Sequence, residues 1–161
     1  MGNLDGLAEF INQADPRGKN KNHRIRVFCP GCFDLLHAGH VDMLQRAYLL
    51  GDHLTVGLNS DESVRRLKGP TRPIVPYEQR KLMLQALRCV DEVVPISDDT
   101  PVAVIEWLKP DVLVKGPGRD PETMPERDIC RRLNCRIKIL DGPPVSTTSI
   151  LEKLASSKIE P

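Results

Sequence analysis

Residues 25–50 join a short apolar run to a helical pattern through a hinge of glycine and histidine, and that juncture limits what the chain can fold into. Ile25-Arg26-Val27-Phe28-Cys29 reads as a buried strand. Val41, Leu44, Ala47 and Tyr48 recur at helical spacing over a helix expected at 39–50, which Gly51 stops. Between them stands Gly31-Cys32-Phe33-Asp34-Leu35-Leu36-His37-Ala38-Gly39-His40. Gly31 and Gly39 let the backbone approach a ligand closely. A helix starting near Ala38 to His40 aims free N–H groups and a positive dipole end at an anion. Two imidazoles beside it can donate hydrogen bonds to phosphate oxygens that gain charge in a transition state. The plainer alternative is two surface histidines at a helix start.

The same alternation continues to the end of the chain. Strands are expected at 53–58, 91–95, 112–114 and 136–140, and helices at 61–67, 76–89, 101–108, 126–133 and from Ser146 onward. On the helix at 76–89, Leu82, Leu84, Ala86 and Leu87 offer an apolar side, and the strand at 136–140 alternates like a half-exposed one. Strands alternating with helices argue for an α/β fold with a parallel sheet and right-handed crossovers. Ligands of such sheets bind outside the carboxyl ends of the strands. The His-x-Gly-His segment, Asn59-Ser60-Asp61 and Lys115-Gly116 all fall at such ends. Residues 1–24 read as an N-terminal extension with a polar linker at 15–22, and residues 25–161 as one domain.

Composition narrows the partners. The formal net charge is +1, which gives no footprint for nucleic acid or an anionic membrane, and no apolar run is long enough to span a bilayer. The N-terminus lacks the apolar core of a signal peptide, so the cytoplasm is the expected location. Five cysteines make an odd set for a disulfide framework. Cys29-Pro30-Gly31-Cys32 is formally a C-x-x-C, and Cys130 and Cys135 could join it at a metal. The alternative is reduced thiols acting as small hydrophobes.

Several polar positions add to the candidate site. Lys68 and Arg72 flank Gly69 and Pro70, as a phosphate clamp or as solubility charge. Arg80 lies in the first turns of a helix, where a cation opposes the dipole and calls for an anionic partner, either a neighbouring carboxylate or a ligand. Asp91 stands at a strand edge, where capping or pairing would account for it. Ser146, Thr147 and Thr148 open a helix as caps or as donors to phosphates.

The fixed positions Gly31, Phe33, Asp34, His37, Gly39 and His40 resemble the Gly-x-Phe-Asp-x-x-His-x-Gly-His signature of the cytidylyltransferase-like nucleotidyltransferases. The segment Val56 to Gly69 is similar to the heptose-1-phosphate adenylyltransferase domain of ADP-heptose synthases. Arg88-Cys89-Val90-Asp91-Glu92-Val93 is similar instead to the cytidylyltransferase Arg-Tyr-Val-Asp-Glu-Val motif, with Cys89 for tyrosine. The resemblance covers roughly residues 25–154. It implies a Rossmann-like doubly wound parallel sheet with helices on both faces, Mg²⁺ as cofactor and a homodimer. It implies an NTP, ATP before CTP, and a sugar or polyol phosphate acceptor, with pyrophosphate released. Heptose 1-phosphate with ATP is the favoured pair, and glycerol 3-phosphate with CTP the alternative.

By the same resemblance His37, His40 and Lys68 are catalytic. Gly31, Cys32, Phe33, Asp34, Gly39, Lys115, Gly116, Ser146, Thr147 and Thr148 bind nucleotide, Asp34 orienting the site or reaching Mg²⁺ through water. Asn59, Arg72 and Arg80 face the acceptor, Arg80 alternatively holding the site through a salt bridge. Two segments depart from the family. Asp141-Gly142-Pro143-Pro144-Val145 replaces the Arg-Thr-x-Gly-Ile of the cytidylyltransferases, and the ADP-heptose synthases also tend to lack that arginine. Lys115-Gly116-Pro117-Gly118-Arg119-Asp120 replaces the Lys-Gly-Gly-Asp-Tyr of the heptose enzymes, and Pro117 removes a backbone donor there. A nucleotide-binding module without turnover is the remaining alternative. Aminoacyl-tRNA synthetases share His-x-Gly-His, but the near-neutral charge offers no RNA footprint.

Overall fold

Apolar runs of four to seven residues bounded by turns give five strands among the described residues. The computed structural model describes residues 24–143 and 146–157; the first 23 residues of the expected extension, and its linker, lie outside them. The strands are β1 (Arg26–Gly31), β2 (His53–Asn59), β3 (Glu92–Ile96), β4 (Val112–Lys115) and β5 (Arg136–Ile139). The helices are α1 (Ala38–Tyr48), α2 (Asp61–Lys68), α3 (Tyr77–Gln85), α4 (Val102–Leu108), α5 (Arg127–Arg132) and α6 (Thr147–Ser156). All pairings are parallel, in the order β3-β2-β1-β4-β5.

Side-chain alternation sorts the core into two layers. Val27, Cys29, Val56, Leu58, Val112 and Val114 pack with Leu44 and Ala47 of α1 and Leu84 of α3. Phe28 and Leu113 point the other way, onto Ile105 of α4 and Ile129 and Cys130 of α5. Helices therefore cover both faces, as a parallel sheet requires. Gly57 makes room for this packing, because a Cβ there would stand 2.6 Å from Phe28 Cζ and 2.7 Å from Ile96 Cδ1. Pro95 lies in β3, an edge strand, where a missing ladder donor is tolerated.

The register shows where the sheet opens. β1 pairs with β2 from Arg26↔His53 to Gly31↔Leu58, but with β4 only at Val27↔Val112 and Phe28↔Leu113. The carboxyl halves of β1 and β4 thus part at the point where the strand order reverses, the usual crevice of a doubly wound sheet.

Three expectations fail in detail. Leu82 is 68% exposed while Leu84 is buried; residues two apart on a helix lie about 200° apart, so they cannot share a face. Tyr48 is likewise exposed beside buried Ala47, and Ala86 also faces out. β5 does not alternate: all four of its residues are half-buried, because it closes the sheet at an edge. Asp91 behaves as a local pairing group, its carboxylate accepting from Leu54 N at 2.7 Å.

Candidate active site

Strand ends and helix starts converge on one cleft of about 840 Å³. Its floor is the loop after β1, with Gly31, Cys32, Phe33 and Asp34 leading to His37, Gly39 and His40 at the start of α1. One wall carries Asn59, Lys68 and Arg72, and the opposite wall Lys115 and Gly116. Ser146, Thr147 and Thr148 close the remaining side. Every residue expected at the site reaches this cleft except Arg80.

The turn after β1 is strained in a specific way. Phe33 adopts φ 44°, a left-handed conformation unusual for a bulky residue. Its ring folds back over Gly31, where a Cβ would stand 2.9 Å from Phe33 Cε2. The same ring lies against His40, with centroids 5.1 Å apart. A glycine at 31 is therefore needed to let Phe33 buttress the second histidine.

His37 and His40 stack with centroids 3.8 Å apart and planes 19° from parallel. Neither Nδ1 has a hydrogen-bond partner among the described residues, both Nδ1 atoms are buried, and both residues line the cleft. Burial lowers the pKa of His37. For His40, burial and then the neighbouring His37 push it down to about 4, with the Leu35 carbonyl opposing. Without ligand both rings are neutral at pH 7, and an anion in the cleft would favour their charged forms. His37 is also the N-cap of α1, with no side-chain cap bond of its own; the first-turn N–H groups of that helix open on the same space.

Asp34 is committed to structure. Its carboxylate accepts from Arg72 Nε at 2.5 Å, Ile74 N at 2.8 Å and Val75 N at 2.9 Å, and the residue is 2% exposed. It orients the loop bearing Arg72, with about three of a carboxylate's four acceptor positions occupied. Arg72 also lines the cleft. Lys68, at the end of α2, is exposed. Asn59 is fixed from behind, donating to Ser63 Oγ at 2.9 Å. Ser146 and Ser149 form a reciprocal capping box, so the start of α6 is held by its own hydroxyls while Thr147 and Thr148 line the cleft.

Two features escaped the sequence reading. Lys115 is paired with the buried carboxylate of Glu126, which also lines the cleft; nothing in the chain links positions eleven apart across an irregular loop. Asp99, Thr100 and Pro101 line the wall beyond β3. The strand-end rule applied to β3 would have found them. The C-x-x-C pair is divided: Cys29 is in the core, where burial pushes its thiol up to about 12, while Cys32 faces the cleft.

The geometry is that of a site for a polyanion, with donors on the floor and cations on the walls. A family model described as cytidylyltransferase-like matches residues 28–153. The chain belongs to this nucleotidyltransferase family. It is 46% identical over 98% of its length to the Bifunctional protein HldE of Geotalea uraniireducens, spanning 31% of that protein. It is 49% identical over 93% of its length to HldE of Syntrophotalea carbinolica, spanning 30% of it. The chain thus spans about a third of the length of the curated relatives it matches. Among solved structures, a lipopolysaccharide core biosynthesis protein from Thermoplasma volcanium is 27% identical, with TM-score 0.61; the match covers 77% of this chain and all of that one. Pantothenate synthetase from Thermus thermophilus, at 16% identity and TM-score 0.52, covers 88% of this chain and 61% of its own and shares the fold.

Proposed function

We propose that this chain transfers a nucleoside monophosphate from an NTP to a sugar phosphate, with ATP and D-glycero-D-manno-heptose 1-phosphate giving ADP-heptose and pyrophosphate. The observation that carries the reading is the stacked His37–His40 pair at the start of α1, faced across one cleft by Lys68 and Arg72. The substrate pair is supported by the near full-length similarity to the HldE proteins and by the Val56–Gly69 segment.

An oxygen of the acceptor phosphate attacks the α-phosphorus in line, and the bond to the bridging oxygen of the β-phosphate breaks. No covalent enzyme intermediate is required, because the acceptor oxygen is already a nucleophile. His37 and His40 donate through Nε2 to the oxygens on which charge builds, joined by the N–H groups at the start of α1. Thr147 and Thr148 hold the β- and γ-phosphates. Lys68 and Arg72 bring the acceptor phosphate alongside and offset its repulsion from the nucleotide. Mg²⁺ belongs to this reading as a charge-neutralising companion of the triphosphate, carried mainly by phosphate oxygens and water. A homodimer working in the cytoplasm completes the proposal.

The test is pyrophosphate release with Mg²⁺, crossing ATP and CTP with heptose 1-phosphate and glycerol 3-phosphate. Release with ATP and the heptose alone is expected. Release with CTP and glycerol 3-phosphate would overturn the substrate assignment, and binding of nucleotide without release in any combination would overturn the activity.

A further inference from the structure

Arg80 is the largest of the fully buried side chains among the described residues, and it does not itself line the cleft. Its guanidinium is used in three directions. Nη1 donates to Cys32 O at 2.6 Å, Nε to Val75 O at 2.8 Å, and Nη2 to Asp61 Oδ1 at 2.7 Å. The Tyr77 ring lies 5.7 Å from its centre. A buried charge costs more than an apolar side chain of similar volume, so packing alone does not call for arginine here.

The three acceptors belong to three separate segments of the site. Cys32 is in the phosphate-facing loop after β1. Asp61 opens α2, the helix that ends in Lys68. Val75 ends the loop that carries Arg72, and its N–H donates to Asp34 on the same side. Asp34 in turn holds Arg72. One buried arginine therefore joins the nucleotide-facing loop to both elements that present the opposing cations.

We infer that Arg80 is a positioning residue that fixes Lys68 and Arg72 relative to the signature loop, and thereby sets where the acceptor phosphate stands before attack. This rests on the sugar-phosphate transfer proposed above. The acceptor contact expected of Arg80 is replaced by action through its neighbours.

The experiment compares Arg80→Ala with wild type in the full chain. Acceptor KM is expected to rise and kcat to fall, together lowering kcat/KM for the acceptor about 10²-fold, the scale of a small misplacement of reacting groups. Nucleotide affinity measured without acceptor weakens by a smaller factor than the acceptor KM rises. Guanidinium chloride at non-denaturing concentration restores part of kcat, and sodium chloride does not. Unchanged acceptor kinetics would overturn the inference, as would nucleotide affinity weakening in step with acceptor KM. If Arg80→Ala fails to fold, Arg80→Lys is read in the same way, since it keeps the charge and loses the three-way fork. Amide exchange at Ile74 and Val75, followed by NMR, separates this inference from the activity. Wild-type inactivity with every acceptor would remove the proposed reaction. Faster exchange in the variant would still support the brace, and unchanged exchange would refute it.

Discussion

At the scale of single residues, the two histidines are set for a charge that arrives with the substrate. Their Nδ1 atoms are buried without partners among the described residues, and the rings stack at 3.8 Å. Such a pair resists protonation unless an anion enters the cleft. His40→Ala is expected to lower kcat by about 10²–10³-fold, the effect of removing one transition-state donor. Steady-state rates on a variant shown to fold by circular dichroism would check it; an unchanged kcat would remove His40 from the reaction. Depressed histidine pKa values also link stability to pH. Unfolding returns His40 from about 4 to the ordinary 6.5, so between those values the unfolded chain binds more protons than the folded one. Stability of the ligand-free protein should therefore fall as pH drops from 6.5 towards 5. Thermal melts of wild type and His40→Gln over that range test the sign: the variant should lose less.

At the scale of elements, the site is assembled from pieces of unequal firmness. β1 and α1 are rooted in the core through Val27, Phe28, Leu44 and Ala47. α6 has no buried residue, and its start is held by the Ser146–Ser149 capping box. Helices with little buried apolar surface open most readily. Amides of α6 should accordingly exchange faster than those of α1 in the free protein, and should gain protection when a non-hydrolysable NTP bridges Thr147 and Thr148 to the histidines. Hydrogen-exchange mass spectrometry with and without the analogue would read this; equal protection of the two helices without ligand would contradict it. The sequence located α6 by its hydroxyl cap but could not reveal how lightly it packs. Its apolar residues Ile150, Leu151 and Leu154 look like those of any amphipathic helix. On α3, likewise, only the assembled sheet selects Leu84 rather than Leu82 for burial.

At the scale of the whole molecule, the sheet sorts the thiols. Cys29, Cys130 and Cys135 are buried, while Cys32 and Cys89 are partly open. Titration of the native protein with a thiol reagent should modify Cys32 and Cys89 first, with the other three reacting only after unfolding. Nucleotide should slow Cys32 selectively, because it lines the cleft. Prompt reaction of all five would contradict the two-layer core. The alternating strands and helices, the crevice at the β1 end and the phosphate-handling segment were legible in the chain, because periodicity and local turn chemistry act over a few residues. Local sequence also named about half of the residues that meet in the cleft, since strand ends in a parallel sheet point to one side. The roles of Arg80, Asp34 and Lys115 were decided only by tertiary structure. Each is charged, and each finds its partner across a loop or a sheet crossing: Arg80 at Cys32 and Asp61, Asp34 at Arg72, and Lys115 at Glu126. A charged side chain looks the same in sequence whether it faces ligand or braces the wall behind it, and burial, which separates those fates, is a property of the folded whole.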